Sequence, residues 1–235
     1  MARWGFLLGS LGLLAYALGP LLANVRLVSP MAGFNVFLAG LAMGVLGLVI
    51  AAVAAAREGV GAHNPLALPG LALCILLVLP VVGMAWRGSS YPPINDISTN
   101  TTNPPQFTQT AKMPENKGIN FAYPGEEFAR QQREGYPDLK PLEVDLALAD
   151  TYDLVRAAAE ENPQLLITVG DGLELTLEGY EESQLFRFRD DFVVEVRHAP
   201  PGHAGSVVEM RSRSRDGRND FGVNAARIRR FLEAV

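Results

Sequence analysis

Arg211, Arg213 and Arg215 alternate through a stretch with strand character, so a β-strand would project all three guanidinium groups from one face. Glu209 precedes them on that face. Arg218 follows in a turn, Asp220 stands where a closing helix would start, and Asn224 and Arg227 lie three apart on that helix, a spacing that lets both point the same way. Asn95 and Asp96, far earlier in the chain, are further candidates for the same surface. Guanidinium forks grip carboxylates and phosphates through paired hydrogen bonds, and a helix N-terminus adds backbone donors. One reading is therefore an anion or partner site, for a lipid headgroup, a phosphate or an acidic peptide. The other is an internal ion-pair ladder. In that reading the arginines face Glu174, Glu178, Asp190, Asp191 and Glu195 on neighbouring strands, and Asp96 pins its own segment to the domain.

Other chemistry is thinly represented. His63, His198 and His203 lack metal-ligand spacing, and the last two flank a turn-forming APPG. Ser98, Ser212 and Ser214 have no nucleophile-elbow context, and no glycine-rich phosphate loop follows a strand. Asp190 and Asp191 are adjacent, so on a strand they point to opposite faces and cannot act as an acid–base pair. The sequence thus implies no cofactor, no metal and no catalytic set. The net charge of −5, with aromatics not interleaved among the arginines, speaks against a nucleic-acid partner.

The elements that position these residues fall into two parts. Up to residue 86 the only charged side chains are Arg3, Arg26, Arg57 and Glu58, a net +2 that leaves −7 for the remainder. Three apolar runs, Trp4–Ala23, Phe34–Ala56 and Leu66–Trp86, each have the length an α-helix needs to cross a bilayer. Gly5, Gly9 and Gly12 align along the first, and Gly40, Gly44 and Gly47 along the second, where small residues let backbones approach. Pro20 and Pro80 would kink or end their helices. Residues 1–87 are thus expected to be a three-helix transmembrane region. Arg3 and Arg57 against Arg26 and Arg87 leave the positive-inside rule undecided, and the α-amino group tips the expectation towards a cytoplasmic N-terminus. Three spans then put the rest of the chain in a bacterial periplasm, with the helices in the inner membrane among lipids. Cys74, the single cysteine, lies inside the third run and bears on no disulfide.

Residues 88–139 are rich in Pro, Asn, Ser and Gly yet carry Tyr91, Ile94, Ile97, Phe107, Phe121, Tyr123, Phe128 and Tyr136. An ordered strap laid over a surface fits this better than a free linker, with a short helix at 126–134. From residue 140 the pattern predicts a strand at 141–146, then a helix capped at Asp150 or Thr151 with Leu154, Val155 and Ala158 inward. Strands follow at 165–169, 173–177, 185–189, 192–197 and 206–214. A helix from Phe221 to Ala234 would be capped by Asn219 or Asp220, with Val223, Ile228, Phe231 and Leu232 inward. In the strand at 192–197, Phe192, Val194 and Val196 should share the core face. The predicted fold class is α+β: an antiparallel sheet of about five to six strands, one face covered by two helices, in the order β-α-β-β-β-β-β-α. By topology it is similar to TATA-box-binding-protein-like and helix-grip folds, an analogy without functional content.

The stretches PPINDIST and DDFVVEVRHAPPGHAGSVVEMRSRSRDGRNDFGVNAARIRRFLEAV resemble the domain-of-unknown-function 1499 family, over roughly residues 90–235. The resemblance implies a domain and no reaction. The expected function is a membrane-anchored, non-catalytic module, an accessory subunit docked on a larger integral membrane complex. The alternative is an anionic small-molecule or lipid binder, or an enzyme, with a pocket between sheet and helices.

Overall fold

The computed structural model describes every residue except Ala62. It divides into two compact units, one comprising Met1–Ser90 with Ser183–Phe188 and the other Tyr91–Glu182 with Arg189–Val235.

The first unit is a bundle of helices α1 (Ala2–Asn24), α2 (Pro30–Glu58) and α3 (Ala67–Gly88). Each is long and apolar enough to cross a membrane. Ser29 caps α2 by accepting from the Ala32 N–H at 3.2 Å, with Pro30 pre-set at the first helical position. Pro20 and Pro80 lie inside α1 and α3 and end neither. The glycine lines of α1 and α2 are buried and hold the bundle together. A Cβ on Gly12 would meet the Gly40 carbonyl oxygen at 2.8 Å, and one on Gly40 would meet the Gly12 carbonyl at 2.6 Å. Backbone thus rests on backbone, which only glycine allows. The six-residue turn Ser183–Phe188 also belongs to this unit, through contacts of its Phe186 and Phe188 rings with Phe34.

The second unit is an α+β domain built on a six-stranded antiparallel sheet. Its strands are β1 (Asp96–Ser98), β2 (Leu142–Val144), β3 (Leu165–Asp171), β4 (Thr176–Glu182), β5 (Arg189–His198) and β6 (Ser206–Ser214). The order across the sheet is β1-β6-β5-β4-β3, with β2 also pairing β6. β1 and β2 share one side of β6 end to end: Asp96 to Ser98 oppose Arg213 to Arg211, and Leu142 to Val144 oppose Val208 to Ser206. Helices α5 (Leu148–Glu161) and α6 (Val223–Ala234) cover one face. There Phe192, Val194 and Val196 join Val155, Leu177, Val208, Met210, Ile228 and Phe231 in the core. Burying such side chains stabilises by about 1.5–3 kcal/mol each.

Several details differ from the pattern read off the sequence. The run at 173–177 is mostly turn: Asp171 accepts from the N–H groups of Leu173 and Glu174, and Leu175 adopts φ 53°. The real strand β4, TLEGYEE, looks polar because it carries three glutamates. It also carries Gly179, whose missing side chain admits the Phe192 ring from β5. The run at 185–189 is largely the turn of the first unit, and the sixth strand comes instead from the strap. Thr151 does not cap α5 but faces inward, its hydroxyl 2.6 Å from that of Ser206. Tyr152 and Ala159 are buried, whereas Leu154 is exposed. The inward face of α6 is turned so that Val223 is exposed and Asn224, Ala225 and Arg227 are buried.

Candidate functional site

The strap, expected to lie over a surface, covers the second face of the sheet. After β1 the chain leaves the edge, crosses this face, forms helix α4 (Glu126–Gly135) and returns to the edge as β2. Phe107 and Phe121 pack on Val193, which points away from the Phe192 side of β5. The strap's aromatic residues are what let a polar segment adhere there.

The arginines predicted to converge are divided between the two faces. Alternation places Arg211 and Arg213 under the strap and Ser212 and Ser214 under α6. Arg211 is fully buried. It donates from Nε and Nη2 to the two oxygens of Asp96, at 2.8 and 2.7 Å, the paired geometry a guanidinium favours. It also donates to the carbonyls of Pro105 and Phe121, at 3.3 and 3.0 Å, so one side chain holds three points of the strap. The rings of Phe107 and Tyr123 flank it at 5.1 and 5.3 Å. Burial, then the nearby Asp96 charge, pushes the Tyr123 hydroxyl up to about 12.

Arg213 lies over the Phe121 ring, with its Nε 3.9 Å from Asp96 and its Nη1 without a hydrogen-bond partner. Burial lowers its pKa against the opposing pull of Asp96 and Asp191. Arg215 grips the fully buried Asp191 through Nε and Nη2. Burial raises the Asp191 carboxyl, and Arg215 opposes that shift.

On the helix face, Arg227 donates to Glu181 at 2.7 Å, to Asp190 at 2.8 Å, to the Ser212 hydroxyl at 2.8 Å and to the Asn224 amide oxygen. Asn224 in turn donates to Ser214 and to the Asn95 carbonyl. Asn95 reaches across to the Gly217 carbonyl at 2.9 Å. Asp220 accepts from the N–H groups of Gly222 and Asn224 and so caps the start of α6. Arg218 is exposed in the turn and has no ion pair among the described residues. Asp190 and Asp191 point to opposite faces, as strand geometry requires.

Two further buried groups hold the strap: Glu178, expected from sequence to pair with an arginine, and Gln132, not singled out from sequence. Glu178 accepts from the N–H groups of Thr108, Gln109 and Thr110, at 2.8, 3.0 and 2.7 Å, and from the Thr108 hydroxyl. Burial would raise its pKa, but these donors outweigh it and hold the carboxyl below the ordinary value. Gln132 of α4 receives the Ser98 N–H at 2.9 Å and donates to the Ser98 carbonyl at 2.6 Å. Its amide thus takes the place of a neighbouring strand on the outer side of β1.

Side chains of the core fill the space between sheet and helices. A groove of about 520 Å³ opens elsewhere, at the β2–α5 connection, lined by Asp145 to Ala149, His198 and Gly205. Among the described residues, no group of three His, Cys, Asp or Glu side chains could hold a metal ion.

Helices able to anchor in a membrane, joined to an antiparallel-sheet domain clasped by its own strap, define the class of protein. The profile of the family described as "Protein of unknown function (DUF1499)" matches residues 96–235, from the first strand of the sheet to the end of α6. That is more than half of the chain, and the chain belongs to this family. No curated protein and no solved structure matches it.

Proposed function

We propose that the protein is a non-catalytic module anchored in the bacterial inner membrane by α1–α3, with a cytoplasmic N-terminus and a periplasmic α+β domain. There it acts as an accessory subunit, docking on a larger membrane complex through the free edge of its sheet. The observation that carries this reading is β3. Among the described residues it is the outermost strand, with no strand paired on its outer side. Leu166 and Ile167 on it are 43% and 37% exposed, and Leu173 in the following turn is 97% exposed. An edge strand bordered by apolar side chains can receive an extended segment of another chain. The bulge after Ile167 disturbs pairing with β4, so the regular stretch for docking is Leu165–Ile167.

Anion capture by the arginine face fits the geometry less well. Arg211, Arg215 and Arg227 are each matched by buried carboxylates. Arg213, with an uncommitted Nη1, is flanked by Asp96 and Asp191, which would repel an anion.

The test is purification from native membranes in mild detergent. Stoichiometric partner subunits should accompany the wild-type protein and be lost from Leu166→Lys/Leu173→Lys, whose exposed positions leave its melting temperature within about 2 °C. A lone protein, or partners retained by the double variant, would overturn the proposal. For orientation, a C-terminal alkaline phosphatase fusion should be active and a green fluorescent protein fusion exported by the general secretion route dark; the opposite result reverses the assignment.

A further inference from the structure

The turn Ser183–Phe188, SQLFRF, is built tightly. The Ser183 N–H donates to the Phe188 carbonyl at 2.8 Å, the Arg187 N–H to the Ser183 carbonyl at 2.9 Å, and the Phe188 N–H to the Ser183 hydroxyl at 3.0 Å. It sits at the α1–α2 end of the bundle. Asn24, the last residue of α1, donates its amide to the Gln184 carbonyl at 2.6 Å. Phe186 is buried edge-on against Phe34 and Phe37 of α2, with ring centroids 5.4 and 5.5 Å apart. Phe188 also meets Phe34, at 5.7 Å, and Phe37 continues the cluster to Tyr16 of α1 at 4.3 Å. Leu185, within the turn, is 56% exposed, whereas its neighbour Phe186 is buried.

Depth follows from helix geometry. At 1.5 Å per residue, the 29-residue α2 is roughly 43 Å long, against about 30 Å for a hydrocarbon core. Centring it leaves about 6–7 Å protruding at each end. Phe34 then lies roughly 6 Å and Phe37 roughly 10 Å from the α2 start, at and just inside the hydrocarbon boundary. Phe186 is wedged at that level. Leu21, near the end of α1, is likewise 56% exposed.

We infer that Ser183–Phe188 is a lipid-inserting anchor, a tight turn whose exposed Leu185 enters the phospholipid layer at the boundary between headgroups and acyl chains, wedged there by Phe186 and Phe188. Apolar side chains on a rigid turn gain interfacial burial with little ordering cost, and aromatic rings favour this level of the bilayer. This inference rests on the reading of α1–α3 as membrane spans.

The test is tryptophan fluorescence of the full-length protein, purified and reconstituted into phosphatidylcholine vesicles. Trp4 and Trp86 are replaced by Phe, and a single Trp is placed at Leu185 or, as a control, at the exposed Leu14 in the middle of α1. Lipids brominated near the headgroup should quench the Leu185→Trp emission at least twofold more than lipids brominated near the chain end, with a blue-shifted maximum. Leu14→Trp should show the opposite preference. Water-like emission from Leu185→Trp without quenching overturns the anchor while a quenched Leu14→Trp leaves the spans standing. Blue-shifted emission unquenched by either lipid means that protein covers the turn and also overturns it. Loss of quenching at both positions removes the membrane reading itself. Circular dichroism of each variant confirms retained fold.

Discussion

Removing the Asp96 charge should release the strap, and more readily than removing Arg211. Both side chains are buried, and among the described residues Asp96 is the one carboxylate hydrogen-bonded to Arg211. In Asp96→Asn the guanidinium keeps the carbonyls of Pro105 and Phe121 but loses its counter-charge. Breaking one side of a buried pair costs about 3–5 kcal/mol, which is a factor of roughly 10²–10³·⁵ in an opening equilibrium. In Arg211→Met the stranded carboxylate still has Arg213 at 3.9 Å, and that guanidinium has a free Nη1 to offer. The cost should therefore fall at or below the lower end of the range. The double variant leaves neither charge stranded, so its cost should undershoot the sum of the singles by at least about 2 kcal/mol. Amide hydrogen exchange across residues 99–141, measured by mass spectrometry on the detergent-solubilised full-length protein, reads the opening directly. Singles within about 0.5 kcal/mol of wild type, or a double equal to their sum, would refute the claim that this pair locks the strap.

Glu178 should make strap closure acid-sensitive. Its folded-state pKa lies below the ordinary 4.5, so its contribution is present above that value and is lost as pH falls through the folded value. Exchange at residues 107–112 should accelerate as pH drops below the ordinary 4.5, after correction for the intrinsic pH dependence of exchange, and Glu178→Gln should abolish that added acceleration while loosening the segment at neutral pH. Gly40→Val should disrupt the bundle, because its side chain would meet the Gly12 carbonyl; a loss of at least 10 °C in detergent melting is expected, and an unchanged melting temperature would contradict the backbone contact.

The fold class was legible because its signals are periodic. Long apolar runs gave three helices, and alternation at Phe192, Val194 and Val196 marked the core face of β5. Two strands were misplaced for local reasons. β4 hides its pattern behind glutamates, one of which, Glu178, is buried because the strap supplies its donors. The alternating run Leu185–Arg189 suggested a strand, yet up to Phe188 it is a turn that belongs with the helical bundle. Alternation also held the key to the arginines. Arg211 and Arg213 share a face, but Asn224 and Arg227 sit on α6, which covers the opposite face. Local spacing carries no information on which face a later helix will cover. Asp96 as a strap pin was within reach of sequence reasoning, although its close partner is Arg211. The role of Gln132 was not, because a side-chain amide standing in for a strand leaves no periodic trace.

Docking through the β3 edge is tested most directly by crosslinking in intact native membranes. A photoreactive benzoylphenylalanine is placed at Leu166 of the full-length protein, and another at Arg156, an exposed position on α5, as a control. The account predicts a discrete adduct of one defined mass from position 166, little from position 156, and loss of the adduct when Leu173→Lys is added. No adduct at 166, or equal adducts from both positions, would contradict it.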